Sequence, residues 1–290
     1  MTEPERVAAM HDYADRYRRD GFVHVSGLLP ADEMPALAAA VDAAVAKRKT
    51  HDKRTLEDKS PYEQSFIQCQ YLWEDFPAVR PLTFHSALGA ALGALLGAER
   101  VRLWHDQALY KEPGGRETDA HQDHAYWPIA EADTITAWIP LTEIDHETGC
   151  MGYVPGSHRG GLEFVDIFGE PGSGAALVAR QAAEPVFVPC KPGDVIFHHG
   201  RTVHLAKPNR SGRMRRVYTG IFIKDGCTRG TDRPHPSVDR DGIPVGGVID
   251  GAATPVVWPL DGADYPAPGP WPDDNPRLRT LRRIGVVPGV

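Results

Sequence analysis

From residue 101 to residue 223 the chain repeats one unit: a short run of alternating apolar and polar residues, closed by a cluster of turn formers. Alternation with a period of two places every second side chain on the same face of an extended strand. Val101 to Lys111, Thr134 to Leu141, Pro185 to Cys190, Val195 to His199 and Arg215 to Ile223 all read this way and are rich in β-branched and aromatic residues. Gly114-Gly115, Thr148-Gly149, Lys191-Pro192-Gly193-Asp194 and the stretch from Lys207 to Gly212 supply the reversals. Short strands joined by tight turns predict a mainly β fold. A chain of 290 residues can bury a large core as one such domain with supporting helices.

Helices are expected ahead of the strands. Residues 3–19 have an amphipathic pattern that stops before Gly21, and Ala31 to Lys49 is alanine-rich with Met34, Leu37, Val41 and Val45 at helical spacing. That stripe reads as core packing. Lys47 to Ser60 is charged and aperiodic, which predicts an exposed loop able to act as a lid, and structure resumes from Gln64 to Trp73. At the other end, ten prolines between Thr231 and Pro276 exclude long helices and central strands. Val256, Val257, Trp258, Tyr265 and Trp271 are too apolar for a simple linker, so residues 226–290 are expected to form an irregular extension packed on the domain made by residues 1–225. Such an extension could cover a site, contribute to a dimer or simply pack.

The strand pattern gives meaning to the triplet His121-Gln122-Asp123. Two residues apart on a strand, the His121 imidazole and the Asp123 carboxylate point to one face and can grip one ion, while Gln122 turns away as a spacer. Alone, such a triplet is more often a surface hydrogen bond. With His204 from another strand it becomes two imidazoles and a carboxylate, the set that leaves open positions on non-haem Fe(II). The turn from Lys207 to Gly212 predicts a hairpin that brings Arg215 near His204. Arg215, Val217, Thr219 and Ile221 share the face expected to turn inward, and Arg216 falls on the other. A guanidinium there could bind a carboxylate through two parallel charge-assisted bonds, which suits a dicarboxylate co-substrate; a surface ion pair or simple solubility are the alternatives, and the inward face decides against them.

Taken in order, Asp20-Gly21-Phe22-Val23-His24-Val25, His121-Gln122-Asp123, Pro155-Gly156-Ser157-His158-Arg159, Gly193-Asp194-Val195-Ile196-Phe197 and His199-Gly200 leading to His204 resemble the phytanoyl-CoA dioxygenase family of Fe(II)/2-oxoglutarate oxygenases, over roughly residues 5–225. The resemblance implies a double-stranded β-helix, that is, a jelly-roll or cupin-like barrel. It implies His121, Asp123 and His204 as iron ligands, and Arg215, eleven positions beyond His204, as the anchor of 2-oxoglutarate. It places Thr118, three before the first ligand, and Trp138 beside the co-substrate, and allows Gln68 or Gln70 to approach it. His199 and Arg210 keep the same spacing as a rival pair, but His199 fits the histidine-containing lead-in that the family carries five residues before the distal ligand. One departure stands out: many relatives have a serine two residues after that ligand, and here the residue is Ala206. The Asp123 carboxylate also argues against the halogenating branch, in which a small residue frees a position for chloride.

The remaining signals bound the function. A net charge of −7 offers no footprint for nucleic acid or anionic membranes, so the expected partner is a small molecule, and the protein itself a monomer or homodimer. With no transmembrane-length apolar run and no signal core, a cytoplasmic protein is expected. Cys69, Cys150, Cys190 and Cys227 are scattered, as reduced thiols would be. Of thirteen histidines most must be ordinary: His124 is expected in a supporting role, His158 in a loop, and His105 facing the pocket with Gln107 and Lys111. Tyr126 and Trp127, just past the metal strand, read as substrate walls or as core. The family implication is Fe(II), 2-oxoglutarate and O2 acting together, with succinate and carbon dioxide released as a C–H bond is hydroxylated; desaturation, epoxidation and ring formation use the same iron site. No clustered basic patch suggests coenzyme A, which favours a small metabolite or natural product. The rival readings are a non-catalytic metal- or ligand-binding barrel and an oxygen-independent cupin-type isomerase or hydrolase.

Overall fold

The alternating segments pair into two antiparallel sheets in a computed structural model that describes residues 3–169, 171–260, 262, 264–272 and 276–288. The strands are β1 (Phe22–Val25), β2 (Ile67–Gln70), β3 (Val101–Tyr110), β4 (Thr118–His121), β5 (Thr134–Pro140), β6 (Met151–Tyr153), β7 (Val186–Val188), β8 (Val195–His199), β9 (His204–Ala206), β10 (Val217–Lys224) and β11 (Val256–Trp258). The larger sheet runs β1-β8-β5-β10-β3-β11, with β2 also paired to β3, and the smaller runs β4-β9-β6-β7. Trp138, Ile196 and Val217 of the larger sheet pack against Met151, Tyr153 and Ala206 of the smaller. Two sheets facing each other in this way, with helices outside, make the jelly-roll.

Strand alternation sorts the larger sheet into two faces. Ala108, Tyr110, Ala137, Ile139, Phe197 and Tyr218 point outward into the main core, where they meet Ala14 and Tyr17 of helix Glu3–Asp20, Val41 of helix Met34–Arg48 and Leu92 of helix Ser86–Leu96. The second of these helices starts later than the alanine-rich run suggests, because Pro35 sits in its first turn, where a missing N–H costs nothing. Arg216 lies on the outward face and pairs with Asp42 of that helix. The inner face carries two cross-sheet rows, His105–Ile221–Thr136–His198 and Gln107–Thr219–Trp138–Ile196. These rows define the floor of the site.

One expectation is corrected by the topology. Residues 207–212 do not close a hairpin, because β9 already has β4 on one edge and β6 on the other, leaving no edge for β10. The turn instead crosses between the sheets, and Arg215 joins the larger one through a bridge to Lys111. The charged stretch before Ser60 is tied down: Arg54 bonds Asp52 at 2.8 Å and Glu63 at 2.6 Å, and Ser60 with Glu63 forms a capping box.

The carboxyl-terminal segment packs on the barrel. β11 pairs with the start of β3, and Trp258 fills a groove left by Gly89 and Gly93, where an added Cβ at Gly93 would lie 2.8 Å from the indole. Further on, Arg240 makes bonds of 2.7 and 3.0 Å to Glu74, both side chains being almost fully buried, and the Trp271 indole N–H donates to Glu74 at 2.7 Å. Among the described residues no single helix is long and apolar enough to cross a membrane.

Asp106, on the outward face, is fully buried and accepts from the Tyr218 hydroxyl at 2.8 Å and the Trp73 amide at 2.9 Å. Burial outweighs these bonds and lifts its pKa from the ordinary 3.8 to about 7. The folded state therefore binds this proton more tightly than the unfolded chain. The stability it contributes is complete below about pH 3.8 and is lost as the pH rises through about 7. Asp106→Asn should flatten the decline in unfolding temperature between pH 4 and 7, as calorimetry across that range would show; a parallel decline in both proteins would contradict the assignment.

Candidate metal centre and co-substrate chamber

His121 ends β4 and His204 begins β9, directly opposite in register. Gln122 remains extended at φ −123°, ψ 118°, and Asp123 opens a short 3-10 turn, so its carboxylate returns to the side of His121. One ligand atom from each of the three residues lies within 4.8 Å of the others, and Nε2 of each histidine is 3.6 Å from Asp123 Oδ1. The tautomers follow from the other ring nitrogens. Nδ1 of His121 faces the Asp119 carbonyl at 2.7 Å and Nδ1 of His204 faces the Thr202 carbonyl at 2.9 Å. A carbonyl can only accept, so each Nδ1 carries the proton and each Nε2 presents a lone pair to the space shared with Asp123. Burial, and then the proximity of His121, pull the His204 pKa down to about 3, which keeps it a neutral ligand. Burial works against the Asp123 carboxylate, yet His204, His121 and His198 together hold it well below the usual range. Two neutral imidazoles and one anion converging on a buried point fit a divalent iron-type ion.

Three neighbours of this site were not singled out from sequence. The Thr136 hydroxyl donates to Asp123 Oδ2 at 3.0 Å, and His198 Nε2 donates to the same oxygen at 3.1 Å. These bonds leave Oδ1 as the oxygen facing the two histidines, and they make His198 a donor rather than a ligand. The signal was present in the alternation, since Thr136 is two residues from Trp138 and pairs with His198. Tyr153 is paired with His204 and fully buried. Gln122 is more than a spacer. Its amide nitrogen donates to the carbonyls of Arg201 at 2.7 Å and Gly161 at 3.2 Å, and its oxygen accepts from the Glu163 amide at 2.9 Å. This buried clamp fixes the two loops behind the metal strand.

Arg215 is buried, with Nη1 donating to the Gly149 carbonyl at 2.8 Å and Cζ 5.7 Å from the Trp138 ring. Nε has no partner, and no carboxylate pairs with the guanidinium among the described residues. Burial lowers its pKa to about 10, so the charge persists at neutral pH without a counter-ion. A buried arginine in this state fits an incoming carboxylate. Thr118 and Ala206 face each other across β4 and β9, one row from the two histidines. Lys111, opposite Arg215, is also fully buried, with its ammonium on the Arg116 carbonyl.

Beyond the triad lies a cavity of about 590 Å³, lined by Gln107, Tyr126 and Trp127 together with Gln68, Gln70 and His105. The Tyr126 ring, part of this lining, is 5.9 Å from that of His121. Its far wall comes from the carboxyl-terminal segment. The other histidines fall elsewhere: His124 meets the Thr134 hydroxyl at 3.4 Å, His158 the Arg18 carbonyl at 3.1 Å, and His199 accepts from the Arg201 amide at 3.0 Å. All four cysteines are free and buried.

Comparison with known proteins agrees with this geometry. Residues 17–217 match the phytanoyl-CoA dioxygenase family. The chain is 25% identical over 252 residues to phytanoyl-CoA dioxygenase domain-containing protein 1 of Bos taurus, covering 70% of this chain and 86% of that one. It is 25% identical over 208 residues to a methylphosphonate hydroxylase of Gimesia maris, covering 70% and 76%. Among solved structures it superposes on the non-haem α-ketoglutarate-dependent carbocyclase SnoK from nogalamycin biosynthesis with a TM-score of 0.71 and 28% identity, covering 84% and 95% of the two chains. The epimerase SnoN, solved with Fe3+, α-ketoglutarate and nogalamycin RO, gives a TM-score of 0.70 at 27% identity, covering 87% and 99%. A buried His-Asp-His set between jelly-roll sheets, an arginine without a counter-ion and these matches together place the chain in the phytanoyl-CoA dioxygenase family of 2-oxoglutarate-dependent non-haem iron oxygenases.

Proposed function

We propose that this protein oxidises an unactivated C–H bond of a small metabolite or natural product by hydroxylation, in the cytoplasm, using Fe(II), 2-oxoglutarate and O2. His121, Asp123 and His204 hold the metal. Arg215 anchors the distal carboxylate of 2-oxoglutarate, with Thr118 and Trp138 lining its chamber, and Gln107, Tyr126 and Trp127 face the substrate. When bound, iron and 2-oxoglutarate supply the oxidising power, with succinate and carbon dioxide as co-products. The protein's own part is positioning and exclusion of water. Thr136 and His198 fix the orientation of the Asp123 carboxylate, the backbone carbonyls of Asp119 and Thr202 fix both imidazoles, and the facing sheets keep the chamber dry.

The observation that carries this reading is Arg215, a buried cation between the sheets with no counter-ion among the described residues. An oxygen-independent isomerase or hydrolase, or a barrel that merely retains a metal, does not by itself require a buried carboxylate-binding arginine. Four buried free thiols suit a reducing compartment. Purified protein given Fe(II), ascorbate and 2-oxoglutarate should release succinate slowly in air and none without oxygen. Turnover that persists anaerobically, or absence of both turnover and 2-oxoglutarate binding, would sink the reading.

A further inference from the structure

The cavity beyond the metal centre is built from two parts of the chain far apart in sequence. One side is the barrel mouth, with the side-chain amides of Gln68, Gln70 and Gln107 in a row. Tyr62 donates to Gln68 Oε1 at 3.3 Å, and Gln68 Nε2 donates to Gln107 Oε1 at 2.7 Å. The other side is the carboxyl-terminal segment, which contributes Trp271, Leu278 and Val287. This wall is fixed rather than loosely apposed. Arg240 stacks on Trp271 at 4.2 Å while its charge is met by buried Glu74, and the Gln70 backbone N–H donates to the Val286 carbonyl at 2.6 Å.

The lining also specifies chemistry. Trp127, Tyr126, Phe164, Phe168, Tyr62 and Trp271 present aromatic surface around a floor of neutral amides. Burial drops the His105 pKa to about 4, so this imidazole is uncharged. Arg240 is neutralised by Glu74, and Arg233 lies at the exposed rim, bonded to the Ala125 carbonyl at 2.5 Å and 5.4 Å above the Phe164 ring. Asp239, the other charged lining residue, is paired with Arg229 at 2.9 Å, so away from the metal itself a charged ligand would find no unpaired ion inside the rim. A flat ring system would stack on the walls, and its hydroxyl or carbonyl groups would bond the amides.

We propose that Arg233 to Arg240, Trp271, Leu278 and Val287 form the outer wall of the substrate site, and that the site takes an uncharged, multi-ring aromatic molecule bearing hydroxyl or carbonyl groups. This rests on the oxygenase reading above. The test is calorimetric titration of Zn(II)-loaded protein, with 2-oxoglutarate present, by emodin, by palmitoyl-CoA and by the aliphatic zwitterion ectoine. Emodin should bind and the other two should not. Trp271→Ala should weaken emodin by roughly tenfold or more, and 2-oxoglutarate affinity should stay within about twofold, as expected for a wall outside the co-substrate chamber. Phe168→Ala, at a position 53% exposed and safe for folding, should weaken emodin in the same direction. Tighter binding of palmitoyl-CoA or ectoine, no binding of emodin, or unchanged emodin affinity in both variants would overturn the proposal. Failure of the parent protein to bind 2-oxoglutarate would instead overturn the oxygenase reading.

A separate observation concerns Tyr153. Its ring stacks on Phe22 at 4.9 Å and lies 5.2 Å from the His198 ring, yet its buried hydroxyl has no partner. Arg215 Nε is a second buried donor without a partner, and both residues pack about Trp138. Two buried donors left unpaired in one chamber are costly unless a shared acceptor enters. The geometry points to the Tyr153 hydroxyl as a second donor to the 2-oxoglutarate carboxylate held by Arg215, in a chain where Ala206 offers no hydroxyl. Tyr153→Phe deletes only the oxygen. In Fe(II)-loaded protein without oxygen it should weaken 2-oxoglutarate roughly ten- to a hundredfold, the range for a bond to a charged acceptor. Binding of 2-oxobutyrate, which lacks the distal carboxylate, should not change. Equal weakening of both acids, or of neither, would refute the assignment.

Discussion

Asp123→Ala should reduce succinate release from 2-oxoglutarate to the level of metal-free protein and abolish retention of Fe(II) on desalting. The carboxylate is the only anion among the three residues, so its loss removes the charge that offsets a dication in a buried site. It also leaves Thr136 and His198 as buried donors without their acceptor, at a cost of about 1–3 kcal/mol in folding stability. Both effects can be separated. Thr136→Val keeps the ligand and removes one supporting bond, and should weaken metal affinity by roughly 10–100-fold with little loss of fold. Iron content by atomic absorption and unfolding by urea, measured on both variants, check the pair. An Asp123→Ala protein that retained iron and turnover would remove Asp123 from the metal centre.

Arg215→Leu should leave metal binding intact and cripple 2-oxoglutarate binding. Removing one partner of a buried, hydrogen-bonded charge pair costs about 2–5 kcal/mol, or roughly 30- to 4,000-fold in Kd. The loss should fall on the co-substrate alone, so the apparent KM for 2-oxoglutarate rises far more than the Kd for Fe(II). Arg215→Lys should recover little, since an ammonium cannot reproduce the planar fork and Lys111 already lies opposite. Titration of 2-oxoglutarate into Fe(II)-loaded protein without oxygen measures the effect directly; an unchanged affinity in Arg215→Leu would mean that the carboxylate is held elsewhere.

Much of the fold could be read from the chain because its signals are local. Alternation at Val195–His199 and within Val101–Tyr110 fixes which residues face inward, and the Pro/Gly/Asn clusters mark where strands end. The inward set of Arg215, Val217, Thr219 and Ile221, with Arg216 facing out, follows from a period of two and nothing else. Pairing is different in kind. The turn after β9 has the composition of a hairpin, but whether it closes one depends on which edges are already taken, and that is settled by β4 and β6 from distant parts of the chain.

The same division runs through the site. Donor types and their spacing can be read from the local order of residues: His121 and Asp123 on one side of a strand, His204 beyond, and an arginine on an inward face. Tertiary structure alone decided that His121 and His204 are register partners, that Thr136 and His198 share one oxygen of Asp123, and that Gln122 clamps two loops. It also decided that a proline-rich segment with no periodicity closes a cavity through a buried Glu74–Arg240 pair. The reason is physical. Periodicity and turn chemistry act over a few residues and leave their mark in the local order of side chains, whereas the partner of a buried polar group is chosen by which distant surfaces exclude water together.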